Sequence, residues 1–149
     1  MAAVVVVLIA VLILMSPPKW TSPVPAAPAS VVTNLPTSSI PEKFPPGLPM
    51  EAGATIVSNY NATSADGRIQ ATRSFESAKS VSANFKLYKT FIMNKTNGWI
   101  YLNEVNDQSQ PNNKALFASG MGGILGINIS AAVTPGHSVV DLSFVAPSK

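Results

Sequence analysis

The spacing of apolar side chains divides the chain into three stretches. Ala2–Met15, AAVVVVLIAVLILM, is apolar at every position. Ser16–Pro49 has no sustained rhythm and carries ten of the thirteen prolines. From Ala54 onward, alternation with a period of two is interrupted once by a period near 3.6, the signatures of half-buried strands and of an amphipathic helix.

In the third stretch, Ala54–Asn61 (ATIVSNYN) predicts a first strand, and Asp66-Gly67 marks a tight turn. Arg68–Phe75 follows as a second strand, with Ile69, Ala71 and Phe75 of one parity and Arg68, Gln70 and Thr72 of the other. Ser77 is suited to cap a helix N-terminus. Val81, Phe85, Tyr88 and Ile92, spaced by 4, 3 and 4, form one apolar stripe that Leu87 and Phe91 widen. Asn97-Gly98 suits the left-handed C-terminal position, which predicts a helix of about 18 residues. Trp99–Val105, Lys114–Ser119, Ile124–Val133 and Val139–Ala146 then read as four strands. Ile124–Val133 is the clearest, with Leu125, Ile127, Ile129, Ala131 and Val133 on one face. Gly120-Met121-Gly122-Gly123 and Thr134-Pro135-Gly136-His137 read as hairpin turns. The expected fold is α+β: a β-β-α-β-β-β-β order forming a twisted antiparallel sheet, with the helix packed on one face. Residues 50–149 are the expected globular domain, about large enough to fold alone.

The first stretch points to a membrane. A helix over Ala2–Met15 would be about 21 Å long, against a hydrocarbon core of about 30 Å. It suits a short transmembrane anchor or the apolar region of a secretory signal. No basic residue precedes it, and the first, Lys19, follows it. Ala27-Pro28-Ala29 has the small-x-small form of a cleavage site but lies a dozen residues beyond the run and contains Pro. An uncleaved anchor is therefore the favoured reading, with secretion after cleavage as the alternative. Trp20 stands where an interfacial Trp is expected. Residues 16–49 read as an extended, disordered proline-rich linker, because proline fixes φ and removes a backbone donor. Pro25-Ala26-Ala27-Pro28 has the PxxP form, which such composition produces by chance.

Composition narrows the function. The chain has 149 residues, 11% charged residues and a net charge of +3. The positive charges form no stripe, so nucleic-acid binding is not expected. Cys is absent, which excludes a disulfide framework and suits a bacterial exported protein. His137 is the lone histidine. A Ser–His–acid triad would need it, but it falls in a hairpin turn without a Gly-x-Ser-x-Gly elbow. The donors for a zinc site do not suffice. Glu104 and Asp107 are the nearest carboxylates for a glycosidase pair, yet a strand end and a loop are ordinary places for solvated charge. Gly120–Gly123 is followed by a strand rather than a helix, so a turn is expected there rather than a phosphate cradle. No cofactor, metal or catalytic residue is expected. Trp99 and Tyr101 are the candidate binding patch for a peptide or glycan if they are exposed; core packing is the alternative.

Leu48-Pro49-Met50-Glu51-Ala52-Gly53-Ala54, with Ile92 leading to Gly98-Trp99 after the helix, resembles a group of small exported bacterial domains without assigned activity. In them a Leu-Pro…Gly-Ala lead-in precedes two strands, a helix ending at Gly-Trp, and a strand meander. The resemblance implies an α+β head carried on an N-terminal anchor and a Pro/Ser/Thr linker, and it transfers no functional residue. The expectation is a non-enzymatic, membrane-anchored extracytoplasmic domain. It would be held in the membrane by residues 2–15 and would bind an envelope protein or peptide. A structural subunit of a surface assembly and a hydrolase of unfamiliar type are the alternatives.

Overall fold

A computed structural model describes residues 30–147. The expected anchor at 2–15 and the linker residues 16–29 lie outside them. The described residues form an antiparallel seven-stranded sheet with one helix, an α+β fold. The strands are β1 (Val31–Asn34), β2 (Thr55–Thr63), β3 (Ile69–Ser77), β4 (Trp99–Val105), β5 (Asn113–Gly120), β6 (Gly123–Ala131) and β7 (Ser138–Ala146). The helix α1 (Val81–Met93) falls between β3 and β4. Across the sheet the order is β1-β2-β3-β7-β6-β5-β4, every pair antiparallel. The helix carries the chain from mid-sheet to the far edge, and the β4–β7 meander returns until β7 pairs with β3.

The helix lies on the face expected of it. Val81, Phe85, Tyr88 and Ile92 are buried against Leu116, Leu125, Ile127, Ile129, Val140 and Leu142. Its start differs from the expectation. Ser80, not Ser77, caps it by accepting from the Ala83 N–H. Ser77 remains in β3, its hydroxyl donating to Glu51. The helix therefore has 13 residues, and a 3₁₀ turn over Lys95–Asn97 closes on Gly98 in the left-handed conformation. Of the two residues expected to widen the stripe, Phe91 packs against the core but Leu87 is exposed.

The larger difference concerns the proline-rich stretch. Residues 31–34 are not linker but a seventh strand, paired with β2 from Val31↔Thr63 to Asn34↔Tyr60. Residues 35–49 then form a strap over the core side of β2 and β3. Its proline carbonyls remain acceptors although its proline nitrogens donate nothing, and two side chains of the sheet use them. Asn59 Nδ2 donates to Pro36 O and Ser39 O at 2.6 and 3.0 Å. Arg73 donates to Ser39 O and Thr37 O at 2.7 and 2.9 Å. Leu48 joins the core, Phe44 packs against it, and the Tyr88 hydroxyl donates to Pro49 O. Burial pushes the Tyr88 phenol up from its usual pKa. The globular unit thus includes residues 31–49 as well as 50–147.

At the end of the sheet where β4 begins, Trp99 meets Phe144 edge to face, with ring centroids 6.2 Å apart. Two glycines make room for these rings. A Cβ at Gly120 would lie 2.7 Å from the Trp99 ring, and one at Gly123 would lie 2.5 Å from Phe144 and 2.4 Å from the Val145 carbonyl. Between them Met121 and Gly122 both take positive φ, 50° and 76°, the conformation of a two-residue hairpin turn.

Two outcomes are expected. Urea unfolding of residues 50–149 should show lower stability than residues 30–149 by about 3 kcal/mol or more, from the lost burial of Leu48 and Phe44. Gly123→Ala should cost about 1–3 kcal/mol through overpacking. Gly126→Ala, whose added Cβ would meet nothing closer than 3.7 Å, should be tolerated.

Candidate functional site

Helix and strap occupy one face of the sheet; no described residue covers the other. The strand pairings place its positions in rows across all seven strands. The first row is Val32–Ala62–Gln70–Val145–Ile124–Ser119–Ile100. The second is Asn34–Tyr60–Thr72–Ser143–Gly126–Phe117–Asn103. The third, from β2 onward, is Ser58–Ser74–Asp141–Asn128–Ala115–Val105. The last is Thr55–Glu76–Val139–Ser130–Asn113. The character changes from mostly apolar in the first row to hydroxyl- and amide-bearing in the middle, with carboxylates at Asp141 and Glu76. No Lys or Arg stands on these strand positions.

The middle rows form a polar floor. Gln70 Nε2 donates to Ser143 Oγ at 2.8 Å and to Thr72 Oγ1 at 3.1 Å, and Thr72 and Ser143 share a hydrogen bond of 3.1 Å. Ser58 and Ser74 are joined at 3.2 Å, and Ser74 donates to Asp141 Oδ1 at 2.8 Å. Thr72 and Ser74 lie low and buried, whereas Phe117 and Asn128 stand exposed. Phe117 leans over Gly126. Tyr60 and Phe117 are four strands apart in the second row, about 19 Å at the usual spacing. They flank a floor of small side chains with fixed hydrogen-bond directions. Such a surface suits contact with a polar, uncharged or basic partner, because cross-strand bonds hold its rotamers in place.

The residues singled out from sequence separate. Trp99 is 5% exposed and belongs to the core, so it supplies no face to a patch. Tyr101 is at the surface of the other side of the sheet. Its hydroxyl donates to Glu104 at 2.9 Å, and Lys89 meets the same carboxylate at 2.7 Å. The Lys89 hydrogen bond, helped by that of Tyr101, holds the Glu104 carboxyl below its ordinary pKa. Asp107 is occupied separately, accepting from the Ser109 N–H at 2.8 Å. Glu104 and Asp107 therefore serve local structure.

His137 has neighbours that the sequence did not indicate. With Glu51 and Glu76 it lines a surface hollow of about 410 Å³ at the end of the sheet where β2 begins. Its Nδ1 is 3.6 Å from Glu76 Oε1, beyond hydrogen-bond length. Ser77 is close by but is 1% exposed, accepts from the Lys79 N–H, and donates to Glu51 at 2.5 Å. That hydroxyl is committed to structure and does not face His137 as a nucleophile would. Among the described residues, no three His, Asp or Glu side chains are placed to hold a metal ion. No protein-family model, curated protein or solved structure matches this chain.

Glu51 yields a pH prediction. The Ser77 hydrogen bond, with Lys79 beside it, lowers its pKa. A carboxylate depressed in the folded state stabilises fully above its unfolded pKa, near 4.3, and loses that contribution as pH falls through the folded value. Melting temperature followed from pH 7 downward should therefore drop below about pH 4, and the drop should be shallower in Glu51→Gln.

Proposed function

We propose that this chain is a non-enzymatic binding module of the cell envelope. Residues 2–15 anchor it in a membrane, its head lies on the extracytoplasmic side, and the open sheet face binds an envelope protein, peptide or glycan. The observation that carries the reading is the face itself. Seven strands display a surface that no described residue covers, its polar groups pre-oriented by cross-strand bonds and flanked by Tyr60 and Phe117. Pre-oriented side chains lose less entropy on association than free ones, and an aromatic beside directional polar groups suits recognition of peptides and sugars. Kinship with the small exported bacterial domains remains part of this proposal, supported by the lead-in sequence, the strand–strand–helix order and the Gly98-Trp99 junction.

No helix among the described residues is long and apolar enough to cross a membrane, so anchoring rests on residues 2–15. The unfamiliar-hydrolase alternative centres on His137, Glu76 and the hollow they share. The subunit alternative requires the open face to meet further copies.

External protease added to intact cells expressing the full chain should remove the head; protection until lysis would overturn the topology. Crosslinking and capture should retain the same partner with the full chain and with residues 30–149. Asp141→Arg should abolish that capture while leaving the circular dichroism spectrum unchanged. A partner insensitive to Asp141→Arg and to Phe117→Ala would remove the open face from the function. A hydrolytic activity lost in His137→Ala would replace the binding reading with the enzymatic one.

A further inference from the structure

Both the way the chain enters the head and the apolar row of the open face favour one end of the sheet. β1 begins at that end, with Val31 opposite Thr63 and Thr63 opposite Ile69. The β2–β3 turn, the β5–β6 turn and the C-terminal end of α1 are there too. Exposed apolar side chains gather at this end beside the polar residues of the β2–β3 turn and of Lys95–Asn97. Val32, Ile100 and Ile124 are 58%, 67% and 46% exposed along the first row, and Met121 in its turn and Met93 at the helix end are 53% and 61% exposed. Arg68 borders a shallow hollow of about 420 Å³ beside Ile124. The carboxylates of the open face, Asp141 and Glu76, stand in the rows away from this end, and Asp66, in the β2–β3 turn at this end, is paired with Arg68 at 2.7 Å.

Chain length brings this end to the bilayer. Since β1 starts at Val31, only residues 16–30 separate the apolar segment from the folded head. Fifteen residues span at most about 54 Å when fully extended. A head of this size has a radius of gyration of about 13 Å, so the tether holds it within reach of the membrane surface.

We propose that the head docks onto the bilayer in which it is anchored, through this end of the sheet. Ile124, Ile100, Val32, Met121 and Met93 enter the headgroup–acyl boundary. This rests on the anchoring proposed above. Docking leaves the polar middle rows and the Glu76–His137 end directed away from the membrane, where a soluble or envelope-bound partner reaches them. Side chains of intermediate size in a shallow row provide modest, reversible association, which an anchor already holding the chain at high local concentration makes effective.

The absence of cysteine permits a clean test. Single substitutions Met121→Cys, Ile124→Cys and Val133→Cys, the last at a fully exposed position in the opposite hairpin, would each carry a nitroxide label in the full chain. The chain is reconstituted into vesicles of phosphatidylcholine with a minority of phosphatidylglycerol, and flotation is measured first. The labels at 121 and 124 should then be accessible to oxygen several-fold more than to a water-soluble nickel complex, with the reverse at 133. Flotation with all three labels in water overturns docking and leaves the anchor standing. Flotation with spin–spin coupling between labels at 121 assigns this surface to a second copy and also overturns it. A chain that does not float overturns the anchor, and docking with it.

Discussion

Coverage is the constraint from which the rest of this structure follows. Seven strands at about 4.8 Å make a sheet nearly 30 Å across, while one helix is about 10 Å wide with its side chains. The helix covers the meander half, where Leu116, Leu125, Ile127, Ile129, Val140 and Leu142 need it. It cannot also cover β2 and β3. The segment between Leu35 and Pro49 does so, which explains why Asn59 and Arg73 face the core side of the sheet. The Asn59 Nδ2 and the Arg73 Nη1 and Nη2 groups meet strap carbonyls there rather than bulk water, while Asn59 Oδ1 and Arg73 Nε are buried without a partner. Polar groups buried this way are costly unless paired, so strap and strands require one another.

That solution leaves the two faces of the sheet with different roles. One is closed by helix and strap, and its side chains are committed to packing. The other carries rows whose chemistry changes along the strands, from apolar where the chain enters to acidic beside His137. A twisted antiparallel sheet with one solvated face is ordinary, and polar residues there are expected. The ordering of those residues by type along the strand direction is what distinguishes this one. In the arrangement proposed above it gives the head a direction relative to the membrane and separates the end that would meet lipid from the rows that would meet a partner.

The polar floor and the hollow around His137 also differ in how freely their groups can act. Gln70, Thr72 and Ser143 bond to one another, as do Ser58, Ser74 and Asp141, and each hydroxyl retains acceptor capacity. Gln70, Ser143, Ser58 and Asp141, which are partly exposed, can receive donors from a ligand without rearranging, whereas Thr72 and Ser74 are buried beneath them. Ser77 is in the opposite situation, since donating to Glu51 and accepting from Lys79 fixes the junction between β3 and α1. Asn84 and Ser138 extend that junction, with Asn84 donating to Ser138 and Ser138 to the Lys79 carbonyl. The density of polar contacts around the start of the helix is thus an assembly of caps and ties, and His137 stands at its margin.

Alternation and helical spacing were sufficient to read six strands, one helix and the α+β class directly from the chain, because each depends on residues within one local segment. The apolar stripe of Val81, Phe85, Tyr88 and Ile92 and the hairpin at Met121-Gly122 are of that kind. The capping serine was misplaced because Ser77 and Ser80 are locally equivalent, and only pairing with Ser138 keeps Ser77 in the sheet. The strand at 31–34 was hidden for a related reason: two valines in a proline-rich stretch carry no periodicity, and their order comes from β2. The candidate patch divided because Trp99 and Tyr101 share a parity but not an environment. Trp99 lies beneath Phe144 and beside Gly120, whereas Tyr101 lies near the outer edge. The open face could not be read at all, since its rows join residues as distant as Val32 and Ile100. Sequence determined what each segment could form; tertiary structure decided which surface each segment shares, because neighbours across a sheet are set by strand order and register rather than by distance along the chain.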